Sequence, residues 1–380
     1  MKLFAVAGET SGDQHGGALL AELHKALPGL DVRGIGGPLM QAQGLKPVAG
    51  FNELQVHGIV EIVRHLPALY RLLWQLEETL AQDPPAALLT IDYPGFNLKL
   101  GLAARRLGIP VIHYSSPSIW AWRGGRIKTI ARAVDLMLLL YPFEVPIYEQ
   151  AGVEAVFTGH PLVGVEADAG QTARLMEALG GGDGPPVVGL MPGSRASELA
   201  RNLPVMLQGA RLIEQAGFRA RWVVPVSPSL RRDDVLAMAA GAGVEVQALD
   251  DAFLPLLKCA SWAVIASGTA TLQAALAGLP FIVVYRVSPL TYFLARRLAY
   301  IKHVSLVNIV AGEEIVPELL QERFTPENIR DSFLGLATDQ KKTEQMRQRL
   351  ARVTAGLGEP GAYARAAQII ANRISLPHAP

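Results

Sequence analysis

The sequence predicts an α/β protein built from two doubly wound, Rossmann-like parallel-sheet domains with a cleft between them, and three observations carry that prediction. At 380 residues the chain is long for one domain, given roughly 150 residues per domain. Short apolar runs alternate with stretches of helical period, the pattern of βαβ units. The alternation breaks at the Gly- and Pro-rich residues 180–186 and then restarts with the same opening: buried strand, Gly/Ser loop, helix.

Taken in order, residues 3–7 read as a buried strand ending in a glycine loop at 8–12, and 14–26 repeats with helical period up to Pro28. Further strands are expected at 32–35, 87–91, 111–114, 136–140 and 155–158, with helices at 96–107 and 127–132. Beyond the break come a strand at 187–191, a loop at 192–195 and a helix from about 197 to 215. Strands at 221–224, 244–247, 263–266 and 281–285 continue the pattern, and roughly the last 55 residues are helical and charged. The boundaries are set at 1–165 and 166–355. Two such domains facing each other put their strand-end loops on one cleft, which suits an enzyme that brings a phosphorylated donor against a second substrate.

Composition removes several function classes. Half of the chain is hydrophobic and 18% is charged, so it is not a disordered polymer. Thirty-five basic against 34 acidic residues, a net charge of +1, exclude a generally basic nucleic-acid binder. The single cysteine, Cys259, excludes an intramolecular disulfide framework and cysteine-rich metal sites, and points to a reducing cytoplasm. Mean hydropathy is high at +0.25, yet the longest uncharged stretch, 259–285, is punctuated by Ser261, Ser267, Thr269, Thr271, Gln273 and Pro280. No run of about 20 apolar residues exists, and the start of the chain turns polar by Glu9, unlike a signal peptide. The expectation is a cytoplasmic protein apolar enough to touch a bilayer surface. The one G-x-G-x-x-G match, at 356–361, follows a charged helix and contains Pro360, so it is a chance match. No Gly-Lys dipeptide, no H-E-x-x-H and no metal-spaced cluster is present; neither a metal nor a cofactor is expected.

Several loops stand where parallel strands hand over to helices. In Pro192-Gly193-Ser194-Arg195, glycine for close approach, helix-start N–H groups and an arginine fork suit a diphosphate; the plainer reading is a turn with a surface arginine. Ser267-Gly268-Thr269-Ala270-Thr271 offers hydroxyls in the same setting, and is also an ordinary helix start. Asp92 ends the 87–91 strand before Tyr93-Pro94-Gly95, either as a general base or as an Asx-turn or capping residue. In the first loop, Glu9 and Asp13 either orient a sugar hydroxyl or cap a helix. Ser116, Trp120, Arg123 and Arg126 follow another strand and suit an anionic group, against simple packing for the tryptophan. The stretch 59–80 is rich in large side chains, among them Ile62, Leu66, Leu69, Leu72 and Leu73, interleaved with Arg64 and Arg71. These exceed one helical face, so a lipid-facing patch stands beside the core reading.

Those motifs, with Ala7-Gly8-Glu9-Thr10-Ser11-Gly12-Asp13, Ile91-Asp92-Tyr93-Pro94-Gly95-Phe96-Asn97 and Gly159-His160-Pro161, lie in an order that resembles bacterial lipid-A-disaccharide synthases over nearly the whole chain. The resemblance implies a GT-B fold whose C-terminal domain binds most of the donor nucleotide, and whose chain returns to the first domain at its end. The helix expected at about 356–380 should therefore pack on the N-terminal domain or on a partner chain. The implied reaction is a metal-independent, inverting transfer of 2,3-diacylglucosamine from its UDP derivative to the 6-hydroxyl of 2,3-diacylglucosamine 1-phosphate, at the cytoplasmic face of the inner membrane; a homodimer is compatible with it. Carried over, Asp92 is the base, with Arg195, Glu9 and Asp13 around the chemistry. Gly193, Ser194, Arg195, Ser267, Gly268, Thr269, Ala270, Thr271, Gln273 and Asn308 fall on the donor side; Ser11, Gly12, Ser116, Trp120, Arg123 and Arg126 fall on the acceptor side. Gln273 stands where such enzymes carry a ribose-binding glutamate, and Val307 where a proline precedes Asn308. The rival readings are a UDP-sugar 2-epimerase and a non-catalytic nucleotide-sugar or lipid carrier of the same fold.

Overall fold

The computed structural model describes residues 1–54, 59–121, 124–182, 184–287 and 302–375, and for 59–64 the backbone alone. Arg123 lies outside the described residues, as does the side chain of Ile62. The chain divides into two compact units, Met1–Gly164 with Leu357–Pro380, and Val165–Gly356.

The first unit carries strands β1 (Lys2–Ala7), β2 (Asp31–Ile35), β3 (Lys46–Pro47), β4 (Ala87–Ile91), β5 (Val111–Tyr114), β6 (Leu136–Leu139) and β7 (Glu154–Phe157). They form a parallel sheet in the order β3-β2-β1-β4-β5-β6-β7, with Val6 paired to Ile35 on one side and Ala7 to Ile91 on the other. The helices are α1 (Thr10–Ala26), α2 (Pro38–Ala42), α3 (Ile59–Gln82), α4 (Pro94–Arg106), α5 (Ile127–Ala133) and α6 (Val145–Glu149). The central strands are buried along their whole length because both faces are covered. Leu19, Leu20 and Leu23 of α1 share one core with Ala366, Ala367, Ile370 and Ile374 of the C-terminal helix Ala362–Ser375, while α3, α4 and α5 cover the other face.

The second unit carries α7 (Ala169–Ala178), β8 (Val187–Met191), α8 (Ala196–Gln215), β9 (Arg221–Val226), α9 (Arg232–Ala242), β10 (Val246–Asp250), α10 (Phe253–Cys259), β11 (Trp262–Ala266), α11 (Thr269–Leu276), β12 (Phe281–Tyr285) and β13 (Glu318–Leu320). Its parallel sheet runs β10-β9-β8-β11-β12-β13. The helices Pro326–Ala337 and Gln340–Ala355 follow.

Three expectations need correction. The strand placed at 244–247 is Val246–Asp250, because left-handed Gly243 (φ 67°) ends α9 and the Val244 amide still donates to Ala239 O at 3.2 Å. The glycine loop at 8–12 is shorter, since α1 begins at Thr10. Gly12 sits buried in its first turn, where a Cβ would come within 3.3 Å of the Ala7 Cβ; close packing explains this glycine better than loop freedom. Of the lipid-facing set on α3, Leu66 does point outward, but Leu69, Leu72 and Leu73 do not. Leu72, Leu76 and Leu80 point into the core and Leu69 and Leu73 pack partly against it. Leu66, Tyr70 and Trp74, spaced by one helical turn each, are the outward stripe, at 38%, 55% and 65% exposure. Counting large residues does not reveal which face they share. Among the described residues no helix is long and apolar enough to cross a membrane.

Candidate functional site

Each sheet reverses its strand order once, between β1 and β4 in the first unit and between β8 and β11 in the second. A crevice opens at the carboxyl ends of strands at such a point, and ligands of doubly wound sheets bind there.

In the first unit that crevice is bounded by Gly8 and Glu9 after β1, and by Asp92 and Tyr93 after β4. Asp92 and Tyr93 are both left-handed, with φ of 50° and 49°, and Ser115 after β5 has φ 70°. Non-glycine residues rarely hold this conformation, and such strain gathers at functional sites. The half-buried Asp92 carboxylate accepts from Ser11 Oγ at 3.2 Å. Tyr93, not Asp92, takes the N-cap position of α4, with no side chain capping it. The Tyr93 hydroxyl donates to Leu54 O at 2.9 Å and its ring fills the space in which a Cβ on Gly8 would lie. Burial, and then the charge of Glu9, push the Tyr93 phenol above its ordinary range.

Not every expected residue of this unit faces the crevice. Asp13 is buried, and its carboxylate accepts from the Leu39 and Met40 amides at 3.1 and 3.0 Å, closing the N-terminus of α2. It is a structural cap of a neighbouring helix. Ser116 Oγ lies 2.5 Å from Tyr148 Oη, and Trp120 Nε1 donates to Glu144 Oε1 at 3.0 Å. The polar atoms expected to receive an acceptor are therefore engaged within the protein. Burial raises Glu144 to about 7, against the hydrogen bonds from Trp120 and Ser116 that pull it down. Arg126 is half-buried just before α5.

Half-buried His15, buried His160 and Tyr363, none of them among the expected site residues, border the same region. His15 Nδ1 is 2.8 Å from the Tyr363 hydroxyl, which the C-terminal helix supplies. Burial lowers the His15 pKa, opposed by the charge of Asp92. His160 packs on the Tyr141 ring at 5.2 Å, and burial takes it down to about 4. Gly159-His160-Pro161 flags one of these; nothing local in the sequence flags Tyr363.

The second unit holds a cavity of about 690 Å³ at its switch point. Met191, Val226, Asp251, Ala266 and Tyr285 bring the ends of β8, β9, β10, β11 and β12 to it, and Gly193, Ser194, Arg195, Ser267, Gly268, Thr269, Ala270 and Gln273 line it. Gly193 has φ 116° and Gly268 φ 154°, conformations that favour glycine. Arg195 is 79% exposed by side chain. The sequence predicts N–H groups open to a diphosphate; instead Ser194 N and Arg195 N donate to Glu198 Oε2 at 3.0 and 3.3 Å, and Arg195 Nη1 to Glu198 Oε1 at 3.1 Å. A carboxylate from the first turn of α8 thus stands where an anion would. Glu198, three residues past Arg195, is the signal the sequence reading passed over.

Two donor-side expectations fail here. Thr271 is buried and its hydroxyl donates to Gly268 O at 2.8 Å, inside its own helix start. Asn308 is fully buried: Nδ2 donates to Val316 O and Glu318 Oε1, both at 2.8 Å, and Oδ1 accepts from Ile315 N and Val316 N at 2.8 and 3.0 Å. Every hydrogen-bonding position of that amide is spent on the chain, so it fastens the 315–318 segment and has none left for a donor.

Two doubly wound units, each with its crevice at the switch point, define the GT-B fold. Among solved structures, the glycotransferase of kitacinnamycin has a TM-score of 0.62 at 17% identity, each chain covered to 98%. The UDP-GlcNAc 2-epimerase from Neisseria meningitidis, bound to UDP-GlcNAc, has a TM-score of 0.60 at 14% identity, covering 98% of this chain and 99% of that one. Likeness at such identity shows the fold alone. The family model for lipid-A-disaccharide synthetase matches residues 3–372, and the lipid-A-disaccharide synthase of Geobacter metallireducens is 40% identical over 369 residues, 97% of this chain and 96% of that protein. The chain belongs to the lipid-A-disaccharide synthase family.

Proposed function

We propose that this glycosyltransferase of lipid A biosynthesis moves 2,3-diacylglucosamine from UDP-2,3-diacylglucosamine to the 6-hydroxyl of 2,3-diacylglucosamine 1-phosphate, releasing UDP. The observation that carries this reading is the open cavity at the second unit's switch point, sized for a nucleotide sugar and edged by Arg195 and the N-terminus of α11. Asp92 takes the proton of the acceptor hydroxyl as its oxygen bonds to the anomeric carbon. The bond from that carbon to the diphosphate oxygen breaks in the same displacement, and UDP leaves with the electron pair, so the configuration inverts. Arg195 and helix-start N–H groups meet the charge on the leaving diphosphate; for the loop at 193–195 this requires Glu198 to move aside. Gln273, which lines the cavity, accepts a hydrogen bond from a ribose hydroxyl in this reading.

On the outer face of α3, Leu66, Tyr70 and Trp74, with Lys99 Nζ at 2.8 Å from the Tyr70 hydroxyl, suit an anionic bilayer surface. The protein would there meet its acylated substrates as a peripheral inner-membrane enzyme. The deciding experiment supplies the UDP-sugar with and without the acylated acceptor phosphate. UDP release that depends on the acceptor supports the transfer. Release or epimerisation without it returns the chain to the 2-epimerase reading, and binding without turnover to a carrier.

A further inference from the structure

Asp92 and Tyr93 form a consecutive pair of left-handed, non-glycine residues (φ 50° and 49°). Steric repulsion opposes this conformation, so something must over-determine it. The sheet holds one side, since Asp92 N donates to Tyr114 O at 3.0 Å. On the other side Tyr93 O accepts from Asn97 N at 3.2 Å and from Phe96 N at 3.4 Å, and one side chain reaches the two carbonyls before it. Asn97 Nδ2 donates to Ile91 O at 3.2 Å and to Asp92 O at 2.7 Å. Those two carbonyls flank the Asp92 Cα, so fixing both fixes the dihedral angles that aim its carboxylate. Asn97 is 1% exposed and lies in the first turns of α4, where a buried asparagine is a poor helix former and gains nothing from water. The first turn of α4 has no capping side chain, so this amide serves the turn preceding the helix and not the helix end.

We propose that Asn97 is a positioning residue of the transfer reaction: its amide clamps the Asp92 turn in the left-handed form that sets the carboxylate beside Ser11. This rests on Asp92 being the base. An alanine at 97 leaves two carbonyls without that donor and frees the turn to relax. A misplacement of about 1 Å at a reacting group costs on the order of 10²-fold.

The test is a double-mutant cycle of Asn97→Ala and Asp92→Asn in the full chain, with kcat read from acceptor-dependent UDP release and UDP affinity by calorimetry. The expected result is a loss in kcat of about 10- to 100-fold for N97A, with UDP affinity unchanged, and less than a twofold further loss when N97A is added to D92N. A structural role would instead lower the folded fraction and multiply into D92N with its full factor, which overturns the inference while leaving the base reading standing. If D92N alone stays within tenfold of wild type, the base reading falls, and this inference falls with it. Asn97→Ser keeps one donor and enters the same cycle if N97A does not fold; its loss should be smaller than tenfold and should also vanish in D92N.

Discussion

The two switch points share a topology and differ in everything placed on it. In the first unit the strand ends are crowded: left-handed Asp92, Tyr93 and Ser115, histidines whose pKa burial lowers, and a Tyr363 delivered from the far end of the chain. In the second unit they are open: two glycines at positive φ, small hydroxyls, one exposed arginine and a cavity of about 690 Å³. A group that must transfer a proton needs orientation, and orientation comes from packed, strained surroundings. A group that must admit and release a nucleotide needs space and accessible donors, and Arg195, 79% exposed by side chain, is one. On the proposed reading, the first unit holds the base, and the second holds the nucleotide and meets the charge of its leaving group.

The sharpest way to break that division is Asp92→Asn, which keeps volume and removes the proton acceptor. Turnover should fall about 10²–10⁴-fold, with UDP affinity and melting temperature unchanged; a variant within tenfold of wild type would move the base elsewhere, Glu9 first. The matching change in the second unit is Arg195→Ala, expected to lower kcat about 10²–10³-fold as one lost transition-state donor. If only UDP affinity falls, Arg195 is a ground-state contact, and the second unit contributes binding alone.

Both of those residues were legible in the sequence because their setting is local: a buried run, then a turn, then a helical period. Asp92, Arg195 and the Ser267–Thr269 hydroxyls each sit within a few positions of the strand that presents them. What could not be read depends on distant partners. Asp13 caps a helix through amides 26 and 27 positions away, Asn308 is saturated by residues 315–318, and Tyr363 reaches His15 across most of the chain. The α3 stripe failed for another reason, since large residues on three sides of a helix leave its inward face undetermined until the sheet beneath is known.

A third test separates the crowded unit from the open one by pH. Burial lifts Glu144 from 4.5 to about 7. A carboxyl whose folded-state pKa lies above its unfolded value binds an extra proton on folding between those pH values. Its stabilising contribution is fully present below about pH 4.5 and is lost as pH rises through about 7. The size is at most about 3 kcal/mol at 1.36 kcal/mol per unit. Glu144→Gln, which cannot ionise, should gain on wild type in melting temperature as pH rises from 5 to 8. A gap between the two proteins that does not change with pH would show Glu144 to be ordinary in its titration.

The smallest expected effect lies on the outside of the first unit, and it tests whether that surface meets lipid. Trp74 is 65% exposed and Leu72, two positions earlier, is 2% exposed. Trp74→Ser removes a large aromatic from a face with Tyr70, over whose ring Lys99 Nζ lies at 4.2 Å. Aromatic side chains favour the headgroup region and basic ones anionic lipid, so binding to vesicles of anionic phospholipid should weaken about tenfold, on the order of 1–2 kcal/mol for part of one buried side chain. Melting temperature should stay where it is, because water already surrounds most of that ring. Leu72→Ser should do the reverse, destabilising the unit by about 2–5 kcal/mol as a core truncation while leaving the vesicle affinity of the folded protein alone. Equal vesicle binding by wild type and the Trp74 variant would remove the lipid-facing role from α3 and leave its stripe as exposed apolar surface with no assigned partner.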